Sequence, residues 1–82
     1  MKRNLGIVGI MVDKRTDAAP RVQEVLTKFG DSIVGRFGIH DPGEEQHGLI
    51  TLNVRDKEDK IHQLMGELTS IEGVDVKSME MK

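Results

Sequence analysis

A chain of 82 residues with 14 acidic and 12 basic side chains, a net charge of −2 and no cysteine excludes several functions at once. Without a thiol there is no disulfide, no zinc–thiolate or iron–sulfur ligation and no cysteine nucleophile. A net negative charge gives no long-range pull toward a phosphate backbone, so direct nucleic-acid binding is not expected.

The chain has the length of a single domain, residues 1–82. A domain this small buries only about 60% of its unfolded surface, so a partner subunit is the expected supplement to its stability. Lys2 and Arg3 precede an apolar run, Leu5–Val12, but the run is short, holds Gly6 and Gly9, and passes into Asp13-Lys14-Arg15 with no cleavage site. No stretch approaches the ~20 apolar residues of a membrane span. A cytoplasmic protein is expected, with no membrane partner.

Leu5–Val12 is rich in β-branched residues on both alternating faces, which predicts a central strand. Asp17 is placed to cap a helix that takes Pro20 in its first turn, and Val22, Val25, Leu26 and Phe29 follow on one stripe. Gly30 stops it, and Ser32–His40 reads as a second strand with Ile33, Phe37 and Ile39 among its apolar positions. Asp41-Pro42-Gly43-Glu44-Glu45-Gln46 has turn chemistry and leads into His47–Arg55, where Ile50, Leu52 and Val54 alternate with Thr51 and Asn53. Asp56, with Asp59 three residues on, is expected to cap a second helix, whose stripe is Ile61, Leu64, Met65, Leu68 and Ile71. Gly73 ends it, and a last strand from Val74 fades near Met81.

The order strand, helix, strand, strand, helix, strand repeats itself weakly, Leu26-Thr27-Lys28-Phe29-Gly30 resembling Leu68-Thr69-Ser70-Ile71-Glu72-Gly73. Two right-handed crossovers joined by a hairpin interleave into an antiparallel sheet of order 4-1-3-2 with both helices on one face, an α+β ferredoxin-like βαββαβ fold. Val8, Ile10, Val12, Ile50, Leu52 and Val54 then face the helices. Leu5, Ile7, Met11 and Leu49 are left on the open face, and large aliphatics there predict an interface between copies, giving a dimer or tetramer.

Four candidate sites emerge. His40 and His47 flank the hairpin and could approach across a paired register to hold a metal, with Asp41, Glu44 and Glu45 near enough to complete a shell. Two histidines without a spacing motif read more readily as polar residues of a wet loop. Lys14, Arg15 and Thr16 precede the first helix, where unpaired N–H groups attract anions, although no glycine-rich cradle is present. Gly35 and Gly38 within the second strand, and Gly66 within the second helix, mark either close approach of a ligand or a neighbouring chain, or no selected role. An RNA-binding sheet would stack bases on aromatic residues, and this chain has only Phe29 and Phe37. No serine has an evident base and orienting partner, so no enzymatic activity is expected, and no cofactor is indicated.

Ile7-Val8-Gly9-Ile10 with Val12, the block Asp31-Ser32-Ile33-Val34-Gly35-Arg36-Phe37-Gly38-Ile39, and Gly66-Glu67-Leu68 followed by Gly73-Val74-Asp75-Val76-Lys77 carry a family resemblance. On these residues the whole chain resembles the short regulators assigned to the iron-only hydrogenase system. That family is similar to the ligand-binding half of nickel-responsive repressors and to ACT-type regulatory domains. The resemblance implies a regulatory domain, acting on transcription, that senses a small-molecule effector or a partner protein. The cysteine and closely spaced His-x-His ligands of the nickel sensors are absent, so it carries over no metal site. A metal-binding module using the hairpin histidines and a ligand-free scaffold are the alternatives.

Overall fold

The computed structural model describes residues 3–43 and 46–82. In chain order the elements are β1 (Asn4–Asp13), α1 (Ala18–Lys28), a 3-10 turn (Gly30–Ser32), β2 (Ile33–His40), β3 (His47–Asp56), α2 (Glu58–Thr69) and β4 (Val74–Glu80). The four strands form one antiparallel sheet of order β2-β3-β1-β4. This is the expected ferredoxin-like arrangement. Glu44 and Glu45, named as metal ligands, lie outside the described residues.

Alternation decides the two faces of the sheet. Val8, Ile10 and Val12 of β1 and Leu52 and Val54 of β3 are buried against Val22 and Leu26 of α1 and Leu64 and Leu68 of α2, so both helices cover one face. Removing these aliphatic side chains from water stabilises the domain by about 1.5–3 kcal/mol each. Ile50 is on the same face but only partly covered. Outside the core, Lys28 of α1 donates to Glu67 of α2 at 2.8 Å and ties the two helices together.

Helix starts depart from the expected capping. Asp17 stands at the N-cap of α1 but makes no side-chain cap, and its carboxylate faces Arg21 at 3.6 Å instead. Thr16 does the capping: its Oγ1 accepts the Ala18 N–H at 3.1 Å while its hydroxyl donates to the Asp13 carbonyl at 2.7 Å. Asp56 does not cap α2, because β3 runs through it and the helix opens after Lys57. Its carboxylate instead accepts the buried Ser32 hydroxyl and the Lys57 N–H. The expected strand start at Ser32 is likewise displaced, since that residue closes the 3-10 turn.

At the other end of the sheet the pairing outlasts β4. Met81 and Lys82 donate their N–H groups to the Leu5 carbonyl, at 2.7 and 3.0 Å. Gly73 is the one described residue with positive φ, +88°. Its carbonyl accepts the Asp13 N–H at 2.8 Å, linking the turn before β4 to the end of β1.

Candidate functional site

The face of the sheet turned away from the helices carries large apolar side chains with nothing of the chain over them. Residues directly opposite in the ladders share that face, which fixes three rows across β2, β3, β1 and β4. The first row reads Gly35, Asn53, Ile7, Met79. The second reads Phe37, Thr51, Gly9, Lys77, and the third Ile39, Leu49, Met11, Asp75. Phe37 is 69% exposed, Met79 60%, Ile39 45%, Met11 40% and Leu49 39%. Leu5 and Ile7, expected here, are half-buried.

Phe37, Ile39 and Met79 enlarge the patch read from sequence. A register slip between Ile33 and Gly35 explains the omission of the two β2 residues. Ile33 pairs with the helix-facing Val54, whereas Gly35 and Phe37 pair with the outward Asn53 and Thr51. The bulge therefore puts Ile33 and Phe37 on opposite faces although they are four residues apart.

On the helix side, α1 leaves part of β2 uncovered. A groove of about 240 Å3 runs there, with Val12, Ala19, Gln23 and Ile50 on its walls and Gly38 and Gly48 on its floor. Lys14 and His40 stand at its mouth, the Lys14 ammonium donating to His40 Nδ1. A Cβ at Gly48 would lie 3.2 Å from Lys14 Cε, so the bare backbone there lets the lysine lie across the strand. Arg36 of β2 donates to Gln23 Oε1 at 2.9 Å.

The structure thus brings Lys14, Gly38 and His40 together and sends the other candidates elsewhere. Arg15 folds back onto Asp13, donating through Nε at 3.0 Å, Nη2 at 2.9 Å and its own N–H at 3.0 Å. Thr16 is occupied as the cap, and Gly35 lies on the open face beneath Asn53. His47 pairs with Asp13 and His40 with Gly48, so adjacent rungs put the two imidazoles on opposite faces, and they do not converge on one ion. Among the described residues no group of three or more His, Cys, Asp or Glu could hold a metal ion. Gln23 and Gly48 were missed because neither carries a motif.

Apart from its chain neighbours and the adjacent turns of helix backbone, no atom of the described residues lies within 4 Å of the position a Gly66 Cβ would take. No close approach within the chain accounts for it. Gly66→Ala is accordingly expected to stabilise the fold by about 0.5–1 kcal/mol through helix propensity, read as a higher urea midpoint. A loss of stability would mean that something packs on that surface.

The Asp13 carboxyl is held at about 2, below its ordinary 3.8, first by the Arg15 side-chain hydrogen bonds and then by the Arg15 N–H and the nearby positive charges. The Ser32 hydroxyl and the Lys57 N–H lower Asp56 too. Both groups bind a proton less readily folded than unfolded, so their contribution is complete above the unfolded value and is lost as pH falls through the folded one. The urea midpoint is expected to drop between about pH 4 and pH 2, and less steeply in Asp13→Asn. Parallel curves would show that the Asp13–Arg15 contact adds nothing.

Strand order, two helices on one side and an uncovered opposite face define a ferredoxin-like domain, the fold shared with PII-like proteins. Residues 4–78 match the TM1266-like family, described as "Iron-only hydrogenase system regulator, putative", and the chain belongs to that family. The resemblance read from the β1, β2 and α2–β4 motifs is therefore correct. The structure of the uncharacterized protein TM1266 from Thermotoga maritima is similar at a TM-score of 0.90 and 33% identity, over 99% of this chain and 100% of that one. The C-terminal domain of MgtC from Mycobacterium tuberculosis matches at 0.74 and 14%, over 95% and 87%. The apo form of CPII from Thiomonas intermedia K12, a nitrogen regulatory PII-like protein, matches at 0.57 and 14%, over 98% and 95%. These last two show the fold alone. No curated protein matches. Among the described residues no helix is long and apolar enough to cross a membrane.

Proposed function

We propose that residues 1–82 form a non-enzymatic, ACT-type regulatory domain of the iron-only hydrogenase system, working in the cytoplasm as a homodimer joined through the open sheet face. The apolar patch on β2, β3 and β1 carries this reading. Three strands of nine or so residues offer roughly 400 Å2 in projection, from ~4.8 Å strand spacing and ~3.3 Å rise. Side chains standing on that plane raise the accessible area toward the ~800 Å2 per partner of a standard interface.

The shape of the patch supports a second copy as its occupant. A two-fold axis along β3 lays β2 of one copy over β1 of the other while keeping the rows level. Phe37 then meets the bare backbone of Gly9, Ile7 meets Gly35, and Ile39 meets Met11, with Leu49, Thr51 and Asn53 meeting their own copies. Phe37 and Ile7 thus find glycines, and Ile39 a flexible methionine. The charged Asp75 and Lys77 of β4 fall outside the overlap. Aligned sheet packing, ~10 Å apart and within about 30°, accommodates this pairing.

The family's description as a regulator supports the non-catalytic part of the reading. The net charge of −2 supports a transcriptional output exerted through a protein partner and not through direct contact with DNA. Light scattering across a concentration series tests the assembly. A mass twice the 9.2 kDa of the chain is expected, and a constant 9.2 kDa at high concentration would refute the dimer.

A further inference from the structure

We infer that the groove between α1 and β2 binds a small organic acid, its carboxylate held between Lys14 and His40 and its short apolar part lying over Gly38 and Gly48. The inference gives the proposed regulatory domain its effector class and rests on that reading only for its biological purpose. The groove lies on the helix side of the sheet, opposite the dimer face, so the two can fail independently.

Charge is the first argument. The chain is net negative, yet Lys14 and His40 line this groove, Arg36 is bonded to Gln23 on its wall, and no carboxylate among the described residues lines it. Asp41, next in the chain to His40, spends Oδ1 on the Gly43 N–H at 2.8 Å. The corresponding cleft between α2 and the edge strand β4 has the reverse character, with Glu58 and Glu80 on its walls. An anion is therefore selected to one side of the pseudo-symmetric fold.

Space and apolarity are the second argument. A Cβ at Gly38 would come no closer than 4.0 Å to Ile50 Cγ1 or the Leu49 carbonyl, so the floor is open and not closed by packing. Val12, Ala19 and Ile50 supply an apolar lining that a free inorganic anion would not use. The volume of about 240 Å3 lies below the 300–1,000 Å3 typical of drug-sized ligands and suits an acid of a few carbons. The Lys14 ammonium donates to the His40 imidazole. A carboxylate placed between them accepts from the ammonium and from an imidazole N–H together, two hydrogen bonds to a charged acceptor in exchange for one. Gln23 has its amide oxygen turned to Arg36, leaving the amide nitrogen to donate.

Titration of 15N-labelled full-length protein with acetate, butyrate and inorganic phosphate at fixed ionic strength tests this. Saturating shifts are expected at Lys14, Gln23, Gly38, His40 and Gly48, with butyrate tighter than acetate by roughly fourfold per added methylene. Lys14→Met should weaken butyrate at least tenfold. Gly38→Val, whose Cβ meets nothing closer than 4.0 Å, fills the floor and should abolish binding with the spectrum otherwise preserved. Phe37→Lys, which disrupts the dimer face, should leave affinity unchanged.

Non-saturating shifts spread over surface lysines and arginines would overturn the inference, as would butyrate binding retained in Gly38→Val. Phosphate binding as tightly as butyrate would overturn the organic-acid class. Binding lost in Phe37→Lys would overturn the assignment to a groove within one chain.

Discussion

Phe37→Lys is expected to leave the fold intact and convert the dimer to monomer. The ring is 69% exposed on the open face, and in the proposed two-fold arrangement each dimer buries it twice. Burial of a phenylalanine side chain contributes about 1.5–3 kcal/mol, so two copies supply about 3–6 kcal/mol. At about 1.4 kcal/mol per tenfold, the dissociation constant rises roughly 10²- to 10⁴-fold. Lysine suits the position in the monomer because β2 is an edge strand, where exposed lysines are common. Unchanged circular dichroism with a light-scattering mass near 9.2 kDa is the expected result.

Gly9→Leu separates shape from greasiness. Adding an apolar side chain would strengthen a non-specific hydrophobic contact, whereas it fills the hollow that receives Phe37 and should weaken this dimer. In the isolated chain a Cβ at Gly9 meets only the Lys77 carbonyl, at 3.9 Å, so the fold tolerates it. A dimer that survives Phe37→Lys, or that Gly9→Leu tightens, would remove the open face from the mechanism.

Periodicity made the fold readable, because strands and helices of this domain each bury one face. Val8, Ile10, Val12, Leu52 and Val54 alternate cleanly, and Leu64, Leu68 and Ile71 recur at helical spacing, so the core was legible residue by residue. Function was less so. The displaced cap shows why: Asp17 and Thr16 are both good capping residues, and only the bend after Asp13 decides that the threonine hydroxyl reaches the first free N–H. The bulge in β2 hid Phe37 from the open face for a similar reason, since a single extra residue reverses every side chain beyond it. His40 and His47 looked like a pair across a hairpin. A one-rung offset in register separates them and gives His40 to Lys14 instead.

Gly73→Ala is expected to be strongly destabilising, and Thr16 is the reason. At φ +88° a non-glycine residue costs about 1–2 kcal/mol. The new Cβ would also lie 2.5 Å from Thr16 Oγ1 and 3.0 Å from its Cγ2. Thr16 can yield only by giving up its bond to the Ala18 N–H, a cap worth about 1 kcal/mol, or the turn can open and release the Asp13 N–H from the Gly73 carbonyl. The sum, about 2–4 kcal/mol, is a large part of the roughly 4–12 kcal/mol available to a domain of this size. It corresponds to a fall in Tm of some 10–25 °C.

Thr16→Gly removes Oγ1 and Cγ2, and the Thr16 Cβ that would lie at 3.2 Å, along with the cap. In that background Gly73→Ala should cost only the backbone strain, leaving a coupling energy of about 1–2 kcal/mol in the double-mutant cycle. Additive costs would place the two residues out of contact. They would break the link by which the turn before β4 holds the start of α1, and with it the chain segment that carries Lys14 to the groove.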